Sequence, residues 1–380
     1  MPNELELKLA LIPKMAQKLL LEGLPNGMRF EPGLQLSNTY FDTPDQALKS
    51  AKMALRIRRI GDTWIQTLKS EGCSSLGGMT QRGEWESVLD SDRLDVAIVK
   101  ERLPPEIDLA TLQPVFSTDF IRHIARVSRA DACVEIALDL GEVIAGQRRA
   151  PISELELELK SGSADVLLEL ASDIAEKIAV RMGVKSKAAR AQALLNTAQS
   201  NSLIAQDAIS PLSKPSASIV ESELNRICLD AVRTAGLAYE AALENALECV
   251  FEEIPMNTSV TSSAIIEAKV HSRYTFRQFI ELRTALLQLI SVLGLVGAPE
   301  SLVSGFANLL AKIAMLADLP EQFNGPNNMQ RVIQPVQLEQ LSNLQTTTEL
   351  GLLSLALARW LNERLAAELQ PKVKTRSLND

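Results

Sequence analysis

The sequence predicts an α+β protein: an amino-terminal antiparallel barrel of eight strands followed by an all-helical bundle. Three observations carry this. Residues 1 to about 160 alternate apolar and polar side chains at period two, as half-buried strands do. Residues beyond about 219 repeat their apolar positions at period 3.6. Between them, residues 200–218 hold Ser-Pro and Lys-Pro steps and read as a linker. The expected domains are therefore 1–199 and 219–380, joined by 200–218.

Composition narrows the class. At 380 residues the chain is too long for one ordinary core. Its 46% hydrophobic content supports globular folding, while 4% aromatic content and a net charge of −8 disfavour a nucleic-acid partner. Cys73, Cys133, Cys228 and Cys249 form no short-spaced pair, so they read as reduced thiols of a cytoplasmic protein. The first six residues are acidic and resemble no signal peptide. The greasiest stretch, 285–298, is shorter than the roughly 20 residues of a membrane span and is interrupted by Gln288, Gly294 and Gly297, so a buried helix is expected there.

In order, Glu4-Leu5-Glu6-Leu7-Lys8 reads as a strand with Glu4, Glu6 and Lys8 on one face and leucines on the other. Residues 13–23 read as a short helix, with Pro13 near its start and Gly23 at its end. Residues 35–42 form a strand running into a turn at Thr43-Pro44. Residues 53–60 form the next, with Arg56 and Arg58 on one face and Leu55 and Ile57 on the other. Gly61-Asp62 is a hairpin turn into residues 64–69, whose apolar positions Ile65 and Leu68 break the alternation. The Gly-rich segment 72–78 lacks the Walker ending and a following helix, and reads as a flexible hairpin tip. Arg82-Gly83-Glu84-Trp85-Glu86 again carries charge at every second residue.

Residues 90–115 are mixed and Pro-rich. Strands resume at 116–122 and at 132–139, where Glu135, Ala137 and Asp139 share a face. Glu154-Leu155-Glu156-Leu157-Glu158-Leu159-Lys160 then echoes the opening strand, and residues 165–182 switch to a helical period. In the second half, helices are expected at about 219–253, 264–296, 299–318 and 336–369.

The charged faces admit two arrangements: solvated around an apolar interior, or lining a lumen. Charge recurs on nearly every strand with acidic and basic strands segregated, which an outer surface has no reason to do. A charged lumen needs ligands that neutralise it, since unpaired buried ions cost several kcal/mol each. Divalent Mg²⁺ or Mn²⁺ with substrate phosphates meets both demands.

These residues carry a family resemblance. Glu-x-Glu-x-Lys, Tyr-Phe-Asp-Thr-Pro, Leu-Arg-Ile-Arg, Thr-Leu-Lys, a Glu-x-Glu strand, Glu-Ile-Ala-Leu-Asp, Glu-Leu-Glu-Leu-Glu and Ser-Lys-Ala-Ala-Arg occur in the order of the CYTH family, the triphosphate tunnel metalloenzymes, over about residues 1–198. The resemblance implies an eight-stranded tunnel binding a linear triphosphate with divalent metal. It makes Glu4, Glu6, Glu156 and Glu158 metal ligands. Lys8, Arg56, Arg58, Lys69, Arg122, Lys187 and Arg190 become triphosphate ligands, with Glu84, Glu86, Asp139 and Glu154 in support. Glu6, Glu156, Glu158 and Arg58 would carry catalysis: one ion neutralises and orients the triphosphate, and a second, beside Glu156 and Glu158, activates water. Neither His123 nor His271 is needed.

A CYTH domain joined to a helical domain is similar to bacterial inorganic triphosphatases with a CHAD domain, a module associated with polyphosphate and rich in His, Lys and Arg. Residues 201–380 depart from that: they hold one His and are net acidic, with a trace of basic character at 269–277 and Arg283. A packing or homodimerisation role is favoured over polyphosphate binding. The expected reaction is hydrolysis of inorganic triphosphate to pyrophosphate and phosphate. The alternatives are a thiamine-triphosphatase, a class IV adenylate cyclase and a non-catalytic polyphosphate or nucleotide sensor.

Overall fold

A computed structural model describes residues 3–75, 78–196, 221–251, 272–317, 321–323, 329–331, 343 and 346–369. The expected linker 200–218, and His271 with it, lie outside the described residues. The chain divides into two compact units, Met1–Gln206 with Thr348–Leu352, and Asp207–Thr347 with Leu353–Asp380.

The first unit is a closed antiparallel barrel. Its strands are β1 (Asn3–Ala10), β2 (Leu34–Asp42), β3 (Ala54–Ile60), β4 (Thr63–Ser75), β5 (Met79–Leu89), β6 (Gln113–Arg129), β7 (Ala132–Ala145) and β8 (Arg148–Ser161). They run in the order β5-β4-β3-β2-β6-β7-β8-β1, and β1 pairs with β5 to close the circle. A two-residue β9 (Arg181–Met182) lies along β1.

The apolar face of the strands points outward, away from the lumen. Leu7, Leu9, Leu138, Leu155 and Leu157 are fully buried, where helices α1 (Pro13–Glu22) and α4 (Asp165–Ala175) pack on β1, β7 and β8. Leu55 and Leu68 join Leu48 and Val99 in a second outer cluster under α2 (Ala47–Ser50) and α3 (Val96–Val99). This accounts for the imperfect alternation in β4. Arg56 pairs with Thr67 and Arg58 with Ile65, so Ile65 shares the inward row while Leu68 lies outside. The Tyr-Phe-Asp-Thr-Pro segment is structural at its aspartate: Asp42 accepts the backbone N–H groups of Thr43 (2.8 Å) and Leu48 (2.9 Å), fixing the turn into α2.

Two expectations are corrected here. The Gly-rich segment 72–78 is not all loop: β4 runs to Ser75, and Gly72, Cys73, Ser74 and Ser75 are ladder residues opposite Arg82, Gln81, Thr80 and Met79. The helical period at 165–182 ends at Ala175, and Arg181–Met182 is strand. A further helix that the sequence reading did not place, α5, spans Lys187–Asn196.

The second unit contains α6 (Glu221–Phe251), α7 (Ser272–Leu295) and α8 (Glu300–Ala317), and most of α9 (Glu349–Leu369). Leu282, Leu286, Leu289 and Leu293 form the buried stripe of α7. Tyr239 of α6 meets Phe306 of α8 edge to face, ring centroids 5.3 Å apart. The unit is not purely helical: β10 (Glu321–Phe323) and β11 (Met329–Arg331) form a small hairpin. Among the described residues no helix is long and apolar enough to cross a membrane.

Candidate active site

The lumen is a cavity of about 850 Å³. Pairing register explains how dispersed residues reach it, because directly opposed residues on neighbouring strands share a face. Glu6 lies opposite Glu158, and Lys8 opposite Glu156. Glu135 faces Glu158 across β7 and β8, Arg122 faces Asp139, Lys69 faces Glu84, Thr67 faces Glu86, and Arg82 faces Glu4. The inward rows become apolar at one end, where Leu36, Phe116, Phe120, Val143 and Ile152 cluster with Tyr40 and Ala191 of α5.

Along β8 the inward carboxylates grade from sealed to open. The side chains of Glu154, Glu156, Glu158 and Lys160 are 0%, 13%, 28% and 42% exposed. At the sealed end, Lys187 Nζ is 2.6 Å from Asp139, 2.5 Å from Glu154 and 3.0 Å from Glu156. Lys8 Nζ adds contacts of 2.9 Å to Glu156 and 3.6 Å to Glu154. Arg122 forks onto Asp139 at 2.7 and 2.6 Å and reaches Glu156 at 2.5 Å, while Arg190 binds Glu154. Burial opposes every charge here, yet the ion pairs win: Glu154 and Glu156 are held below the ordinary carboxylate range, and Lys8 and Lys187 above the ordinary ammonium range.

Asp139, Glu154 and Glu156 offer oxygens within 4.8 Å of one another, a spacing that could hold a metal ion. In this arrangement the Lys187 ammonium already contacts all three. Asp139, Glu154 and Arg190 do not line the cavity but stand behind its wall.

At the open end the carboxylates are less fully neutralised. Glu4 accepts from Lys69 (2.9 Å) and Arg82 (3.0 Å), and Glu6 accepts from Arg82 (2.6 Å). Burial would raise Glu4, but Lys69 and Arg82 hold it well below the usual range. Glu158 moves the other way. Burial, with Glu4 and Glu135 nearby, raises it despite a 2.6 Å contact to Lys160. A carboxylate whose ionised form is disfavoured by neighbouring carboxylates is one that a divalent cation would relieve. Glu4, Glu6 and Glu158 are hard oxygen donors of the kind Mg²⁺ or Mn²⁺ takes, while among the described residues the three acidic oxygens that already converge within 4.8 Å are those of Asp139, Glu154 and Glu156.

Across the lumen stands a basic wall. Arg56 is 7% exposed, with 3.7 Å to Glu84 and 3.5 Å to the Tyr40 hydroxyl, and its buried Nε has no hydrogen-bond partner. Arg58 donates from Nε to Asn38 Oδ1 at 2.9 Å. Among the described residues no carboxylate lies within ion-pair distance of Arg58. Burial, then Arg56 and Arg122, push its guanidinium down to about 10. Glu84 accepts from Lys69 at 2.9 Å, and Glu86 accepts from the Thr67 hydroxyl at 3.1 Å.

Six charged cavity residues were given no role by the sequence reading: Asp42, Lys49, Lys52, Arg82, Glu135 and Lys160. Arg82 carried a signal, since it alternates with Glu84 and Glu86. Gly183 also matters here. Its N–H donates to the Lys8 carbonyl at 2.8 Å, and a Cβ there would sit 2.5 Å from Lys8 Cγ, so the absence of a side chain leaves room for the Lys8 stem. His123 meets the Glu31 carbonyl (3.4 Å) and does not line the cavity.

The chain is 35% identical over 192 residues to the inorganic triphosphatase of Haemophilus influenzae, covering 50% of this chain and 54% of the relative. It thus spans about half the length of the curated relative it matches. Among solved structures, a Hippeastrum protein described as an adenylyl cyclase with a dominant triphosphatase activity is 21% identical. That alignment covers 50% of this chain and 95% of that one, with a TM-score of 0.39. The PH1819 protein of Pyrococcus horikoshii OT3 is 22% identical, covering 51% and 99%, with a TM-score of 0.35. The CYTH domain profile matches residues 2–191, half of the 380 residues, and the chain belongs to the CYTH family.

Proposed function

We propose that this chain hydrolyses inorganic triphosphate to pyrophosphate and phosphate inside the barrel, with Mg²⁺ or Mn²⁺ held by Glu4, Glu6 and Glu158. The observation that carries this reading is the basic wall: Arg58 is pushed down to about 10 with no carboxylate partner among the described residues, and Arg56 keeps a buried donor unused. Excess positive charge in a lumen calls for an anionic guest. The carboxylates opposite call for a cation, and a metal–triphosphate complex supplies both.

Phosphoryl transfer has a loose transition state, so catalysis is mainly alignment and charge stabilisation. Arg56, Arg58 and Lys69 would grip the chain of phosphates, joined by Lys8, Lys187 and Arg122, whose heads are fixed by Asp139, Glu154 and Glu156. Preorganised cations cost no rearrangement when charge develops on the transferred group. Glu156, contacted by Lys8, Lys187 and Arg122 at once, anchors cations in this reading, with any metal contact secondary. Glu84 and Glu86 orient Lys69 and Thr67, and Arg190 braces Glu154. A bound divalent ion would neutralise phosphate oxygens and lower the pKa of water. In this reading residues 1–199 hold the chemistry, and 219–380 form a packing or homodimerisation module.

The test is to incubate the full chain with triphosphate, ATP or thiamine triphosphate and Mg²⁺ or Mn²⁺, measuring phosphate, pyrophosphate and cyclic AMP. Triphosphate is expected to turn over fastest, with activity lost in Glu6→Gln and Arg58→Ala. Tight binding without turnover would leave the sensor alternative, and cyclic AMP from ATP would make the chain a cyclase.

A further inference from the structure

Arg82 is a lumen cation whose position the proposed function leaves unexplained. It stands on β5 directly across the closing seam from Glu4, with Thr80 opposite Glu6. Its guanidinium spans both carboxylates of β1: Nε donates to Glu4 Oε2 at 3.0 Å and NH2 to Glu6 Oε1 at 2.6 Å. Those oxygens belong to the pair that the proposed function gives to the metal.

We infer that Arg82 is a built-in counter-cation of the Glu4–Glu6 pair, which a divalent ion must displace to bind. The argument rests on the metal reading of that pair and on competition for the same lone pairs. Mg²⁺ or Mn²⁺ binds carboxylate oxygens at little more than about 2 Å, as small hard cations do. A guanidinium donating to those oxygens at 2.6 and 3.0 Å occupies the same approach and carries like charge. Both cannot hold the pair together.

The surroundings allow the exchange. The Arg82 side chain is 16% exposed, and guanidinium stems are long and flexible. Lys69, the other partner of Glu4, also contacts Glu84 at 2.9 Å and keeps a carboxylate when the metal arrives. The sealed end has no such freedom. Lys187 there touches three carboxylates and is 6% exposed, so the Asp139–Glu154–Glu156 group is fixed where the Glu4–Glu6 group is exchangeable. An internal competitor lowers affinity for the free ion and makes binding depend on a guest that can take the released guanidinium. A triphosphate anion is such a guest.

The experiment measures Mn²⁺ binding to the full chain by calorimetry, without triphosphate, in wild type, Arg82→Gln and Glu6→Gln. Arg82→Gln is expected to bind Mn²⁺ at least about tenfold more tightly, because losing even one charge-assisted hydrogen bond to the competitor is worth that much. Unchanged or weaker binding in Arg82→Gln, with binding lost in Glu6→Gln, overturns the displacement and leaves the metal reading standing. Wild-type binding in Glu6→Gln overturns both. Should Arg82→Gln fail to fold, a Mg²⁺ titration of wild type decides. The Arg82 Nε–H resonance, assigned by its loss in Arg82→Lys, must shift as Mg²⁺ binds, and a resonance that stays put overturns the inference.

Discussion

Replacing Arg58 by Met should make the ligand-free barrel more stable while removing its grip on triphosphate. Folding moves this guanidinium well down from its ordinary value to about 10, through burial and the charges of Arg56 and Arg122. At about 1.4 kcal/mol per pKa unit, that is roughly 3 kcal/mol against the folded state at neutral pH. The sign follows from proton binding. Between pH 10 and the ordinary arginine value the unfolded chain holds the proton and the folded chain does not, so stability rises with pH there, and the full penalty applies below pH 10. Met keeps most of the stem but loses the 2.9 Å hydrogen bond to Asn38, worth about 1–1.5 kcal/mol. The net gain is about 1–2 kcal/mol, a rise in Tm of about 2–8 °C for a unit of this size. Thermal unfolding followed by circular dichroism, with and without tripolyphosphate in metal-free buffer, checks both halves. In wild type a hundredfold excess over Kd adds about 2.7 kcal/mol, which Arg58→Met should lack. A lower Tm in the ligand-free variant, or a triphosphate shift as large as wild type, would refute the reasoning.

Lys187→Met should do the opposite. It strips the shared cation from Asp139 and Glu154, each with no exposed side-chain surface, and should cost about 3–5 kcal/mol, seen as a Tm lowered by about 6–20 °C. The same ion pairs set the acid limb. Glu4, Glu154 and Glu156 are depressed on folding, so the stability they contribute is complete above the ordinary 4.5 and fades as pH falls toward about 2 for Glu154. Lys8 and Lys187 are raised, so their share is complete below the ordinary 10.5 and fades only at higher pH. Glu158, raised instead, offsets one half-buried carboxyl's worth. Tm measured from pH 3 to 10 should therefore be flat between about pH 5 and 10 and fall steeply below about 4.5.

The barrel was legible because β1 and β8 advertise their faces at period two. Leu5, Leu7, Leu155 and Leu157 against Glu4, Glu6, Glu154 and Glu156 allow one in-or-out choice, and charge segregation made it. The strand ends were harder. Gly72 looks like a loop residue, and only its pairing with Arg82 keeps it in β4. Arg82 itself alternates visibly with Glu84 and Glu86, but its importance depends on β5 meeting β1, a contact between segments about 76 residues apart that no local pattern encodes.

The same distance effect divides carboxylates that the sequence presents as equals. Glu154, Glu156 and Glu158 are successive inward residues of one strand, and nothing in Glu-Leu-Glu-Leu-Glu ranks them. What separates them is α5, which brings Lys187 against Asp139, Glu154 and Glu156 and Arg190 against Glu154, and leaves Glu158 with Lys160 of its own strand. At one end of the lumen, then, carboxylates serve cations: each buried oxygen aims an ammonium or guanidinium, and removing either partner leaves an uncompensated buried charge. At the other end cations serve carboxylates: Arg82 spans Glu4 and Glu6, and Lys69 divides itself between Glu4 and Glu84. On the proposed function, rigid struts under a phosphate-gripping wall and exchangeable partners at a metal-accepting wall are opposite requirements, and one Glu-x-Glu pattern would meet both because α5 covers only half of it.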